Sequence, residues 1–318
     1  TAGSYSISLT VSNGTENDSL IKTDYISVIS QTYVPDDNFE QALIDLGYDD
    51  TLDDYVVTDS ISGVTSLDVG EKEISDLTGI EAFTALDVLY CDNNQLTSLD
   101  VSSNTALTGL WCNSNSLTSL DVSTNTSLTS LRCYDNQLTS LDVSANTALT
   151  YLYCYTNQLA ALDVSANTAL TLLTCSINEL TALDVSNNTA LTTLYCRSNQ
   201  LTALDVSANT ALTSLNCRNN QLTSLDVSAN TALTYLICSI NQLTYLNMRN
   251  GVTDALTTFN ATNNDSLECI ETLDTTYATE NWTYENGNID LGVTFAVNCT
   301  PGYTYVPDDN FEQALIDL

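Results

Sequence analysis

Leu86-Asp87-Val88-Leu89-Tyr90-Cys91-Asp92-Asn93-Asn94-Gln95-Leu96-Thr97-Ser98-Leu99-Asp100-Val101-Ser102-Ser103-Asn104-Thr105-Ala106 is one turn of a pattern that recurs every 21 residues. Cysteine marks it at Cys91, Cys112, Cys133, Cys154, Cys175, Cys196, Cys217 and Cys238. A last, degenerate copy begins at Leu256, after an insertion around Asn250 and Gly251, and puts Ala261 in the cysteine slot. In L-x-x-L-x-C a short strand turns its second Leu and its Cys to one face and the residues between them to the other. The Asn that follows, such as Asn115 or Asn136, is placed to turn inward and satisfy backbone groups at a bend. Stacked copies make a parallel sheet at ~4.8 Å per strand, with each coil burying its neighbour.

The half-motif L-x-x-L-x-C-x-x-N-x-L is the leucine-rich-repeat signature. The fold class is therefore an α/β solenoid, a leucine-rich-repeat horseshoe or rod. The second half, L-T-x-L-D-V-S-x-N-T, echoes the first, with Val122 and Val143 inward and Asp and Ser outward. Stacking sets Asp100, Asp121, Asp142, Asp163, Asp184, Asp205 and Asp226 in a row that ends at Asn247. Neighbouring carboxylates in such a row repel. Three readings stay open: a solvated back face, a line of weak divalent-cation contacts, or ice binding through the adjacent threonines (Thr97, Thr118, Thr139, Thr181, Thr202, Thr223), which Ala160 interrupts.

The ends of a solenoid must hide its core. Pro35 to Gly47 reads as a short helix with Asp36 or Asp37 as N-cap and Gly47 as the stop. Residues 64–85 form a divergent first coil with Leu67, Val69, Ile74, Leu77, Ile80 and Phe83 inward. Cys269 and Cys299 fall outside the 21-residue register, around Trp282, and are expected to form the disulfide of a C-terminal cap. The eight register cysteines are expected to be buried thiols. The expected divisions are 1–31, the last strands of a β-sandwich; 32–63, the N-terminal cap; 64–267, the repeats; 268–302, the C-terminal cap; and 303–318, a further cap helix. That last division rests on a verbatim return of Thr32–Leu46 as Thr304–Leu318, which predicts further copies of the module in a longer exported chain.

Val34 to Leu46, Leu77-Thr78-Gly79-Ile80-Glu81-Ala82-Phe83 and the coils that follow resemble the leucine-rich-repeat regions of large surface proteins from flavobacteria and other Bacteroidetes. Gly3 to Asn13, with Tyr25-Ile26-Ser27-Val28, resembles the last strands of a PKD domain. The resemblance implies an adhesion-type protein exported by type IX secretion.

Forty acidic residues against six basic leave a net charge of −34. Such a surface repels nucleic acid and anionic lipid, and no apolar run approaches the ~18 residues of a spanning helix. With no histidine, Ser-His-Asp and Cys-His chemistry is out of reach, and an enzyme is not expected. No cofactor is required; calcium is a candidate ligand of the loop carrying Asp49, Asp50, Asp53 and Asp54, against a plainly solvated loop. The candidate binding surface is the concave strip of outward strand positions, which vary from coil to coil. It carries Tyr90, Trp111, Arg132, Tyr134, Tyr151, Tyr153, Tyr155, Tyr195, Arg197, Arg218 and Tyr235. Tyr, Trp and Arg are the residues of binding hot spots, although sheets also favour aromatics on exposed faces. Two functions follow: an extracellular module that recognises a glycan or a surface protein, or a spacer in a long tandem-repeat protein.

Overall fold

The computed structural model describes residues 3–299; the repeated segment Thr304–Leu318 lies outside them. Ten parallel strands, from Ser66–Asp68 to Thr258–Asn260, pair in succession into one sheet. The 21-residue offset sets the register: Leu89 faces Leu110, and Leu110 faces Leu131. The inward leucines and cysteines are fully buried, as is each valine of the second half-coil. The backbone ladder runs from coil to coil through the cysteines, with Cys91 N–H donating to Trp111 O at 2.8 Å and Cys112 N–H to Arg132 O at 2.9 Å.

Two rows of asparagine close the two bends of each coil. In the first, Asn115 Nδ2 donates to Cys91 O (3.0 Å) and Cys112 O (3.1 Å), while its Oδ1 accepts Leu96 N–H (3.0 Å). In the second, Asn125 Nδ2 donates to Val101 O (3.0 Å) and Asn104 O (2.9 Å), but Oδ1 is buried with no protein partner. A third row had no reading in the sequence: Thr129 Oγ1 donates to Thr108 O at 3.1 Å, and the same bond repeats up to Thr257 and Thr234. The threonines at Thr97 to Thr223, by contrast, simply face outward.

The second half-coil forms strands only near the C-terminal end, where Ser224–Asp226, Tyr245–Met248, Cys269–Thr272 and Thr294–Ala296 make a four-stranded sheet. Asp226 and Asn247 face each other across its first two strands, and Asn247 Nδ2 donates to Asp226 Oδ2 at 3.1 Å. Pairing therefore begins where the aspartate row stops.

The N-terminal cap holds the helix Asp37–Asp45. Asp36 Oδ1 accepts the N–H groups of Asn38 and Phe39, the expected N-cap. Its Oδ2 accepts Ser75 N–H, Ser75 Oγ–H and Asp76 N–H, tying the helix to the first coil. These bonds hold the Asp36 carboxyl below the usual carboxylate range, against the opposing effect of burial, which is the largest single influence. Gly47 takes φ +79°, which ends the helix. At the other end Cys269 and Cys299 form the expected disulfide. Trp282 packs on Phe259 (4.3 Å between ring centres), and Glu271 binds Arg249 at 3.1 Å and accepts Cys299 N–H. Residues Gly3–Ser12 and Asn17–Val28 form an antiparallel hairpin exposed throughout.

Candidate functional site

The outward positions of the ten-stranded sheet form three columns, one before the buried Leu, one between Leu and Cys, and one after Cys. Strand register alone makes Tyr90, Trp111, Arg132 and Tyr153 consecutive neighbours in the middle column. The side chains stack accordingly. Tyr90 and Trp111 ring centres lie 3.8 Å apart, and the Arg132 guanidinium lies 4.6 Å from the Trp111 ring and 5.0 Å from the Tyr153 ring. A cation held between two ring faces is stabilised by both quadrupoles, so Arg132 is fixed in place rather than free in solvent. Trp111 Nε1 and Arg132 Nε are buried there without a hydrogen-bond partner in the protein.

In the next column Tyr134 and Tyr155 stack face to face, with centres 4.3 Å apart and planes 9° from parallel. Burial and then the Tyr134 ring push the Tyr155 phenol up to about 12. Thr174 and Ser176 are small and buried, and they separate this aromatic group from a second one. There Tyr195 and Tyr235 lie 6.1 Å apart, and the Tyr195 hydroxyl shares a 2.9 Å hydrogen bond with Ser214. Arg197 and Arg218 stand exposed on adjacent coils. Tyr151 is 46 % exposed, on the outermost column of the first group. All eleven sequence-predicted residues thus share one face, in two clusters.

The loop of Asp49, Asp50, Asp53 and Asp54 is differently arranged. Asp53 Oδ1 accepts Tyr55 N–H, and Asp50 Oδ1 accepts the Thr51 hydroxyl. Among the described residues no three carboxylate, thiol or imidazole groups converge as metal ligands. Sequence reasoning overlooked Glu40, which is fully buried in the helix; its Oε1 accepts the Asp53 and Tyr55 N–H groups and shapes the same loop.

The aspartate row keeps the expected mutual repulsion, but local hydrogen bonds outweigh it. Each carboxylate accepts the N–H of the Ser two residues on, as Asp121 does from Ser123 at 2.9 Å. The Ser123 hydroxyl and N–H hold Asp121 below its ordinary range, and the neighbouring aspartates oppose this only weakly. The register thiols are pushed the other way: burial raises Cys133, Cys175 and Cys238 to about 12. They are packing groups, not nucleophiles.

Residues 189–230 match a family model described as leucine-rich repeats in two copies. The functional domain of InlJ from Listeria monocytogenes, whose structure is described as including a cysteine ladder, superposes with a TM-score of 0.67. Identity is 38 % over 80 % of this chain and 66 % of that one. The chain is a leucine-rich-repeat protein related to the Listeria internalins. Internalin J of the same species is 42 % identical over 72 residues, 23 % of this chain and 8 % of that protein. A Listeria monocytogenes internalin, inlF, shares the fold with a TM-score of 0.58 at 21 % identity, covering 83 % of this chain and 88 % of its own. The solenoid spans under two thirds of the first two relatives' lengths. These relatives are listerial, whereas the flavobacterial origin, the PKD strands and the secretion route rest on the quoted sequence segments alone.

Proposed function

We propose that the chain is a non-enzymatic extracellular recognition module, displayed at a cell surface, that binds a glycan or a protein through the varied face of its long sheet. The observation that carries this reading is the Tyr90–Trp111–Arg132–Tyr153 column. Every inward slot repeats, yet this face concentrates rings and guanidinium groups whose packing organises it in advance of a partner. Preorganised aromatic and Arg side chains are the usual anchors of an interface. Kinship with internalins, a group of surface and secreted proteins, supports the same reading. No helix among the described residues is long and apolar enough to cross a membrane.

Glycan and protein arrays probed with the intact chain, and with Trp111→Ala, Tyr153→Ala and Arg197→Ala, test it. Specific binding weakened by these substitutions is expected. An absence of binding across both arrays sinks the proposal and leaves the spacer reading, in which the module supplies reach and stiffness.

A further inference from the structure

From Gly109 to Thr262 the three outward columns hold 24 residues on eight strands, and not one is Asp or Glu. Three are arginine: Arg132, Arg197 and Arg218. In a chain where acids outnumber bases 40 to 6, this face has the opposite sign to the rest of the molecule. Arg132 is occupied by its two rings. Arg197 and Arg218 are not: among the described residues the ion pair is Arg249 with Glu271, and neither exposed guanidinium donates a hydrogen bond. Ser198 N–H donates to Arg218 O at 2.8 Å, so the two arginines sit side by side, one strand apart. Strands ~4.8 Å apart bring both guanidinium groups within reach of one anion.

We infer that Arg197 and Arg218 form a clamp for the acidic groups of an anionic polysaccharide lying along the strip. The inference rests on the recognition reading above and narrows it to a ligand class. An extended peptide running along the solenoid presents same-side groups every ~6.8 Å, out of step with strands ~4.8 Å apart. The rings of a linear polysaccharide repeat at about the strand spacing. The rings of Tyr195 and Tyr235, in the columns to one side of the pair, suit flat sugar rings. Guanidinium suits both carboxylate and sulfate.

The test is direct binding of the whole chain to polygalacturonate (carboxylate), dextran sulfate (sulfate), dextran (neutral) and polyglutamate (a peptide polyanion). Salt near 0.15 M, where the screening length is about 8 Å, lets the local pair be read rather than the net charge. One or both acidic polysaccharides should bind, dextran and polyglutamate should not, and Arg197→Gln with Arg218→Gln should weaken binding at least tenfold. Lys22→Gln with Lys72→Gln, the same charge change at exposed sites off the strip, should leave it unchanged. Binding to neither acidic polysaccharide, binding that survives the double substitution, or polyglutamate as the better ligand overturns the clamp. If an array partner still requires Trp111 and Tyr153 but ignores both arginines, the clamp falls while the recognition reading stands.

Discussion

Each coil is built twice from nearly the same words: Leu89-Tyr90-Cys91-Asp92-Asn93-Asn94 and Leu99-Asp100-Val101-Ser102-Ser103-Asn104. In both halves the Leu and the Cys or Val are inward and an Asn donates to carbonyls, the first-half Asn to its own and the preceding coil and the second-half Asn to the preceding coil alone. Yet the first half pairs into ten continuous strands and the second into four, at one end only. Interior packing is the same in kind, so it does not separate the halves. What differs is the outward residue. In the first half it is usually neutral and changes from coil to coil. In the second it is a carboxylate facing an identical carboxylate until Asn247 answers Asp226 with an N–H.

High pH should separate the halves most strongly. Burial raises the thiols of the first half in the folded state, three of them to about 12. A group whose folded value lies above its unfolded one contributes stability below the unfolded value, near 8.5, and loses it as pH climbs toward the folded one. Urea midpoints should therefore fall steeply above pH ~9. Changing Cys133, Cys154 and Cys175 to Ala, the residue at slot 261, should lower the baseline but flatten that slope. An unchanged slope would mean that the thiols are not what titrates.

The asparagines give the next effect. Asn157→Ala strands Leu138 N–H and takes one of two donors from Cys133 O and Cys154 O, which keep Asn136 and Asn178. Asn146→Ala strands no group, because Val122 O and Asn125 O keep the N–H groups of Asn125 and Leu128, and it also removes an Oδ1 that has no protein partner. At about 1–3 kcal/mol for an unsatisfied buried group and about 1 kcal/mol for a lost bond whose acceptor keeps another donor, the first should cost ~4 kcal/mol and the second roughly half as much. Chemical denaturation of the two single variants decides it; equal losses would mean that bound water satisfies the second row.

Much of this was legible in advance because a 21-residue period repeats every interior contact. The inward Cys and the first Asn row follow from slot and register, the Asp36 cap from its place before the helix, and the Cys269–Cys299 bridge from two cysteines outside the register. The rest depends on neighbours that the period does not specify. The Asp36 link to Ser75 spans 39 residues. The Arg132 sandwich needs the register of three strands, and the acidity of the Asp row needs serine N–H groups aimed at it. The outward strip was found by where coils differ, its pairing geometry only by how they stack.

A smaller effect sharpens the first half alone. The residue two after each Cys is left-handed, and at Ile177 φ is +53°. That conformation costs an L-residue about 1–2 kcal/mol and is worst for a β-branched one. Asn93, Asn219 and Asn263 fill the same slot at φ 54–57°. Since Ile177 is 39 % exposed, Ile177→Asn gives up little burial and should stabilise by ~1 kcal/mol. A thermal melt that moves down instead would show that the isoleucine packs usefully on the next coil.

The smallest effect bears on why the halves differ at all. Asn247 keeps the turn that every Asp makes, accepting Arg249 N–H through Oδ1 at 3.1 Å. It adds a donor to the coil before, and there Val227 N–H reaches Asn247 O at 2.9 Å. The turn is common to paired and unpaired coils, so it does not prevent pairing, and the carboxylate pair is the difference left to test. Asp205→Asn should then reproduce the junction one step inside the row. Its Nδ2 would meet Asp184, Val185 N–H would pair with the residue 205 carbonyl, and stability would rise by about 0.2–1 kcal/mol, the worth of a cross-strand pair. Amide exchange at Val185 reads this directly: slowing in the variant extends the second sheet, whereas unchanged exchange assigns the open back face to the coil geometry itself.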